Sequence, residues 1–177
     1  MRKDIERILI SEEELQNKVS EMGKQISRDF QGKDPIFVGV LKGCFIFMAD
    51  LMRYVDISCS MDFMSVSSYS GTSSTGAVKI NKDLGEDIEG RHLIIVEDIL
   101  DSGVTLSYLK QYLMVRKPAS ITIATLMDKP ARRKADIHAD YSCFEIPDAF
   151  VVGYGLDYNE RYRNLPYIGV LKPEIYS

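Results

Sequence analysis

Six residues within nine positions have the types that hold a sugar phosphate: Glu97, Asp98, Asp101, Ser102, Gly103 and Thr105. The apolar run Leu93 to Val96 before them reads as a strand buried on both faces. Leu106, Leu109 and Leu113 follow at helical spacing, so the expected layout is strand, acidic loop, helix. A helix start carries unpaired N–H groups and the positive end of the dipole. The stretch Ser102, Gly103, Val104, Thr105 can therefore cradle a phosphate, with two hydroxyls as extra donors. No Lys follows Gly103, so this is not the nucleotide loop G-x-x-x-x-G-K-[ST]. Adjacent carboxylates repel a polyphosphate, which leaves Glu97 and Asp98 to face donating hydroxyls or a metal. A ribose 5-phosphate, with a vicinal diol beside its phosphate, meets both demands. The blander alternative for any single acid is a solvated loop or a helix N-cap at Asp101 or Ser102, and the ordered set argues against it.

These residues need elements to position them. Ser11 and Glu14 have capping-box spacing, and Leu15, Val19, Met22, Ile26 and Phe30 recur at helical intervals, which predicts a first helix over 11–30. Gly32 to Pro35 breaks it, and a strand over 36–41 leads through Lys42-Gly43 into a helix over 44–54. Residues 57–66 alternate in part, which suggests an antiparallel or edge strand. The stretch 67–76 has almost no apolar content beyond Tyr69 and reads as a mobile loop, with 78–80 as its returning strand. After the helix at 106, strands are expected over 120–127, 141–146, 150–154 and 167–171. The basic connection Arg132, Arg133, Lys134 reads as a solvated face. Apolar strands alternating with helices predict an α/β fold with a parallel sheet covered on both sides. Ligands of such sheets sit at the carboxyl ends of the strands. That rule gathers Lys42-Gly43, residues 97–105, Asp128-Lys129 and Asp157 around one crevice.

Composition bounds the chemistry. At 177 residues the chain is expected to be one domain, able to bury roughly 70% of its unfolded surface. A net charge of −4 disfavours broad nucleic-acid or membrane binding. Cys44, Cys59 and Cys143 are odd in number and lack C-x-x-C spacing, so neither a disulfide framework nor a zinc site is indicated. No signal peptide is expected from the charged start, Met1 to Arg7. With only His92 and His138 present, acid-base work falls to carboxylates.

Hydrophobic strand, paired acids, Asp-Ser-Gly and Thr, in that order, resemble the phosphoribosyl pyrophosphate signature of the type I phosphoribosyltransferases. Leu41-Lys42-Gly43, Ser68-Tyr69, Asp128-Lys129-Pro130 and the run FEIPDAFVVGYGLDYNERYR, Phe144 to Arg163, narrow the resemblance to the hypoxanthine-guanine branch of that family. It implies one domain over 1–177: a central, mainly parallel sheet flanked by helices, a small hood from the N- and C-terminal segments, and a mobile lid over about 67–80. The implied reaction moves the 5-phosphoribosyl group from phosphoribosyl pyrophosphate to a 6-oxopurine, hypoxanthine or guanine, in purine salvage to IMP or GMP.

On that resemblance Glu97 and Asp98 hold the ribose hydroxyls, directly or through Mg²⁺. Asp101, Ser102, Gly103, Val104 and Thr105 wrap the 5-phosphate, and Asp101 is the general base for a purine ring proton. Lys42, Gly43, Ser68, Tyr69 and Arg163 meet the pyrophosphate, often with a non-proline cis peptide at Leu41-Lys42. Lys129 donates to the purine 6-oxo group, Phe150 lies over the base, the Val151 backbone meets the purine edge and Leu156 closes the pocket. Asp157 binds a second Mg²⁺, Tyr154 and Tyr158 pack, and Arg161 is at the surface. A cytoplasmic homodimer or homotetramer is implied, with the apolar first and second helices as candidate interface and no nucleic-acid or membrane partner.

Rival readings have less support. A nucleotide-responsive regulator on the same fold, binding nucleic acid, rests only on the basic residues 132–134. A nicotinamide oxidoreductase needs a G-x-G-x-x-G after a strand, and none is present. An adenine or pyrimidine phosphoribosyltransferase shares the signature but should lack Lys129 paired with FVVGYGLDY.

Overall fold

The computed structural model describes residues 1–68 and 78–176. In chain order the elements are β1 (Ile5–Ile10), α1 (Glu12–Asp29), β2 (Ile36–Leu41), α2 (Phe45–Arg53), β3 (Ser60–Ser68), β4 (Val78–Lys82), β5 (His92–Leu100), α3 (Val104–Met114), β6 (Ser120–Asp128), β7 (Tyr141–Glu145), β8 (Val151–Val152), β9 (Ile168–Leu171) and α4 (Pro173–Tyr176). Six strands form one sheet in the order β4-β3-β2-β5-β6-β7, parallel throughout except for the β3–β4 pair. The other three form a small antiparallel sheet, β1-β9-β8, from the two ends of the chain.

The central strands are buried on both faces because helices cover both. Phe37, Ile94, Val96 and Ala124 pack with Leu15, Val19, Met22 and Ile26 of α1 and with Phe47, Met48 and Leu51 of α2. Ile36, Val38, Val40, Leu93, Ile95 and Ile123 pack with Leu106, Leu109 and Leu113 of α3 on the opposite side. Each such side chain taken fully out of water contributes roughly 1.5–3 kcal/mol. The buried stripes of α1 and α2 face the core, while Phe45 at the start of α2 stays 44% exposed.

Three expectations are corrected. The strand expected over 57–66 as antiparallel or edge begins at Ser60; it is antiparallel to β4 as expected but is not an edge, since its other neighbour is β2, to which it is parallel. The acids do not lie in a loop after the central strand: β5 runs on through Leu100, with Glu97 opposite Thr125 and Leu100 opposite Asp128. Backbone pairing is indifferent to side-chain charge where one face opens on a cleft. The strand expected over 150–154 contracts to Val151–Val152 and belongs to the small sheet. Strand β1 lies outside the elements that the sequence predicts; three of its six residues, Ile8 among them, are exposed.

The expected lid falls mostly on residues 69–77, Tyr69 included, which lie outside the described residues; 67–68 and 78–80 are paired as β3 and β4. No described helix is long and apolar enough to cross a membrane.

Helix α1 begins with a reciprocal cap: the Ser11 hydroxyl accepts from Glu14 N–H at 3.2 Å and Glu14 Oε2 accepts from Ser11 N–H at 2.8 Å. Ser11→Ala should lower unfolding stability by about 1 kcal/mol, read as a lower urea midpoint at unchanged m-value.

Candidate active site

Two cavities open at the carboxyl end of β5 and share Ile99 and Asp101. The smaller, about 240 Å³, is lined by Glu97, Asp98, Ser102, Gly103, Thr105 and Leu41 among others. It ends at the start of α3, whose N-cap Gly103 (φ +77°) gives no side-chain cap and whose first turn holds no acid. Apart from a long 3.4 Å bond from the Val104 N–H to the Ser102 hydroxyl, the first turn is open to an anion. Val104 is exposed and does not line this cavity.

Glu97 and Asp98 are half-buried neighbours. Burial, and then the Asp98 charge, hold the Glu97 carboxyl well above the usual carboxylate range, and burial raises Asp98 as well. The packing explains how consecutive carboxylates reach one cleft. Ile94 and Val96 face the α1/α2 layer and Leu93 and Ile95 the α3 layer, yet beyond the acids Ile99 packs with the first and Leu100 with the second. The side-chain alternation thus slips by one position across Glu97-Asp98.

Among the described residues no group of three or more His, Cys, Asp or Glu side chains is arranged to hold a metal ion. Cys44 nearby is buried, and burial followed by the Glu97 and Asp98 charges pushes its thiol far up, which makes it inert packing.

The larger cavity, about 480 Å³, lies between β5, β6 and the small sheet and is lined by Asp101, Lys129, Phe150, Val151 and Leu156, with Arg7 and Val170. Lys129 is only 5% exposed. Its ammonium donates to the Ala149 carbonyl at 2.9 Å and stands 3.9 Å from Asp148. Asp101 Oδ1 is buried with no hydrogen-bond partner among the described residues. An unsatisfied carboxylate oxygen between two cavities is costly unless a ligand completes it. Phe150 is stacked on Tyr176 of α4, centroids 4.6 Å apart at 17°, and meets Tyr158 edge-on at 5.7 Å.

A third cluster joins the loop after β2 to the turn after β8. The Leu41-Lys42 peptide is cis. A β-carbon at Gly43 would collide with the Asp98 carboxylate, and one at Gly155 (φ +105°) with the Gly43 carbonyl, so both must be glycine for these segments to meet. Lys42 Nζ reaches Glu160 at 3.0 Å. Arg163 donates to the Gly155 carbonyl at 2.7 Å and pairs with Asp157 at 3.0 Å and Glu160 at 3.4 Å. Tyr154, expected to pack only, is buried and donates its hydroxyl to Asp50, which also accepts from Gln16 at 3.0 Å. That bond ties the turn to α1 and α2. Lys42, Gly43, Asp157 and Arg163 line neither cavity, and Ser68 ends β3 beside Val78.

Sequence reasoning missed Ile99, Glu160, Tyr176 and, above all, Arg133. Arg133 does not belong to a solvated face. Its guanidinium donates to the carbonyls of Asp101 at 3.0 Å, Ile137 at 2.6 Å and Leu100 at 3.4 Å, and pairs with the Asp128 carboxylate. Lys134 and Ala135 N–H groups donate to the Ser102 carbonyl at 2.9 and 3.1 Å. The basic connection is thus fastened along the Leu100–Ser102 segment. Arg132 is paired with Asp148 at 2.7 Å, so the support for a nucleic-acid surface is spent inside the chain. The only local signal was Asp128 five residues before Arg133, too weak without the fold. Arg133→Ala should cost about 3–5 kcal/mol in urea unfolding, because it strands Asp128 and three carbonyls. Arg133→Lys should recover only part, since one ammonium cannot reproduce a planar fork, and full recovery would refute the clamp.

The phosphoribosyl transferase domain model matches residues 10–159. The chain is 60% identical to hypoxanthine-guanine phosphoribosyltransferase of Bacillus subtilis, covering 100% of this chain and 99% of that protein. It is 53% identical to the Streptococcus thermophilus protein of the same name, covering 100% and 99%. Among solved structures, a hypoxanthine phosphoribosyltransferase from Staphylococcus aureus superposes with a TM-score of 0.97 at 55% identity, covering 100% of this chain and 97% of that one. With a family match over most of its length and full-length relatives of this identity, the chain belongs to the type I phosphoribosyltransferase family, in its hypoxanthine-guanine branch.

Proposed function

We propose that this protein transfers the 5-phosphoribosyl group from phosphoribosyl pyrophosphate to a 6-oxopurine, hypoxanthine or guanine, releasing pyrophosphate and forming IMP or GMP. The observation that carries this reading is the position of Asp101 on the wall shared by two cavities. One has an uncapped helix start and an acid pair, suited to a ribose 5-phosphate; the other has an aromatic face and one buried ammonium, suited to an oxopurine.

In this reading the α3 N-terminus with Ser102 to Thr105 binds the 5-phosphate, and Glu97 and Asp98 accept from the ribose hydroxyls. The base lies between Ile99 and Phe150, with Leu156 closing the pocket and the Val151 backbone along its edge. Lys129 donates to the 6-oxo group; a 6-amino group there would set donor against donor, which disfavours adenine. As the anomeric C–N bond forms and the C–O bond to pyrophosphate breaks, Asp101 takes the proton lost from the purine ring. Lys42, Gly43 and Arg163, with Ser68 and Tyr69, receive the leaving group. The small sheet serves as the hood over the base.

Mg²⁺ fits the acid pair as a cation that arrives with its substrate, since it keeps several waters and needs few carboxylates; bound, it neutralises charge on the leaving group. Two vicinal, desolvated carboxylates with raised affinity for protons are the arrangement such a cation or a diol relieves. Asp157 as a second Mg²⁺ ligand would first exchange its pair with Arg163. The reading includes a cytoplasmic homodimer or homotetramer, for which light scattering is the check.

Pyrophosphate release should be seen with hypoxanthine or guanine and should be at least tenfold slower with adenine; equal rates with adenine would reject the Lys129 assignment. Asp101→Asn should lower turnover roughly 10²- to 10⁴-fold, and unchanged turnover would remove Asp101 from proton transfer.

A further inference from the structure

Glu160 was not among the residues expected to act, yet its carboxylate spans the two cations assigned to the leaving group. One oxygen lies 3.0 Å from Lys42 Nζ and the other 3.4 Å from Arg163 Nη2. Those cations come from separate segments, the loop after β2 and the turn after β8, and among the described residues Glu160 is the ion-pair partner that they share. Resting on the function proposed above, we propose that Glu160 is an internal counter-anion of the pyrophosphate subsite: it holds Lys42 and Arg163 in the free protein, yields them to the leaving-group oxygens, and so sets the affinity for pyrophosphate.

The geometry separates a fixed backbone from a free side chain. Asn159, Glu160 and Tyr162 all have positive φ, at +51°, +59° and +77°, a conformation that L side chains adopt only where the surroundings hold it. The Glu160 N–H donates to Asp157 Oδ2 at 2.8 Å, and Tyr158 and Arg161 are bridged across the turn. The carboxylate itself is 65% exposed and its Lys42 partner 66%, so nothing obstructs its departure. When Glu160 leaves, Arg163 keeps Asp157 and the Gly155 carbonyl and stays in place, whereas Lys42 is left with a full charge to offer.

An exposed pair of this kind is weak, which a counter-anion must be if substrate is to displace it. Pyrophosphate carries several negative charges and cannot share the cations with a carboxylate at contact distance. Glu160 therefore competes with the product as well as with the substrate, and this competition favours release, a step that often limits turnover.

The test is Glu160→Gln, which keeps shape and removes charge, with Glu13→Gln on exposed α1 as a charge-matched control far from the site. Pyrophosphate binding is measured by titration calorimetry at fixed magnesium, beside steady-state constants for phosphoribosyl pyrophosphate and hypoxanthine. Glu160→Gln should bind pyrophosphate about three- to tenfold more tightly and lower KM for phosphoribosyl pyrophosphate in the same direction, with KM for hypoxanthine unmoved and the control like wild type. Unchanged or weaker pyrophosphate binding in an otherwise active variant would overturn the counter-anion and leave the proposed function standing. A wild-type protein that neither binds pyrophosphate nor makes nucleotide would overturn both.

Discussion

Two carboxylates side by side at the end of a buried strand repel each other and lose hydration, and the cleft is organised around that unfavourable pair. At contact distance, like unit charges cost about 1 kcal/mol in water and about 4 kcal/mol at an effective dielectric near 20. Burial raises the proton affinity of both Glu97 and Asp98, and the Asp98 charge raises that of Glu97 further. A fold keeps such a pair only where an arriving ligand relieves it. What surrounds the pair supports that view. Gly43 gives Asp98 room by having no side chain, and the Arg163 charge favours the ionised form of Asp98 without contacting it.

Cations in this cleft do two different kinds of work. Arg133 is turned inward and serves the backbone, taking three carbonyls, two of them in the Leu100-Asp101 segment, and one carboxylate. Its five donors in a rigid fork suit that task, where a point charge would not. Lys42 and Arg163 are the opposite case. Both pair with the exposed carboxylate of Glu160, and Arg163 with Asp157 as well. Lys129 is intermediate, buried and neutralised only distantly by Asp148, with one of its three donors spent on Ala149.

The small sheet completes the larger cavity by joining the two ends of the chain. Arg7, Val170 and Val151 lie in register across β1, β9 and β8 and all three line it. Helix α4 then brings Tyr176 onto Phe150, so the ring proposed to cover the base is itself backed by an aromatic surface. Tyr154, through Asp50, anchors the other end of this turn to α1 and α2. The small sheet is thus braced against α1 and α2 at the Tyr154 turn and closed on itself where Phe150 meets Tyr176.

Local order carried much of this protein's design. The capping box of α1, the doubly buried strands β2, β5 and β6, and the succession of acids, hydroxyls and glycine before α3 are all written within a few residues, because period, cap chemistry and helix starts are short-range properties. Single residues with ordinary alternatives were illegible. Arg133 in a basic run looks like solvent-facing charge until the carbonyls of β5 are beside it. Glu160 looks like a surface acid until two distant cations converge on it, and Tyr176 is an end-of-chain aromatic until β9 carries it to Phe150. Strand β1 is short and half exposed, and its pairing is with β9, at the far end of the sequence. The chain's local chemistry thus determined which residues could hold a sugar phosphate. Tertiary structure alone decided which charges are clamped, which are kept available and which rings meet, since partners far apart in sequence leave no periodic trace in it.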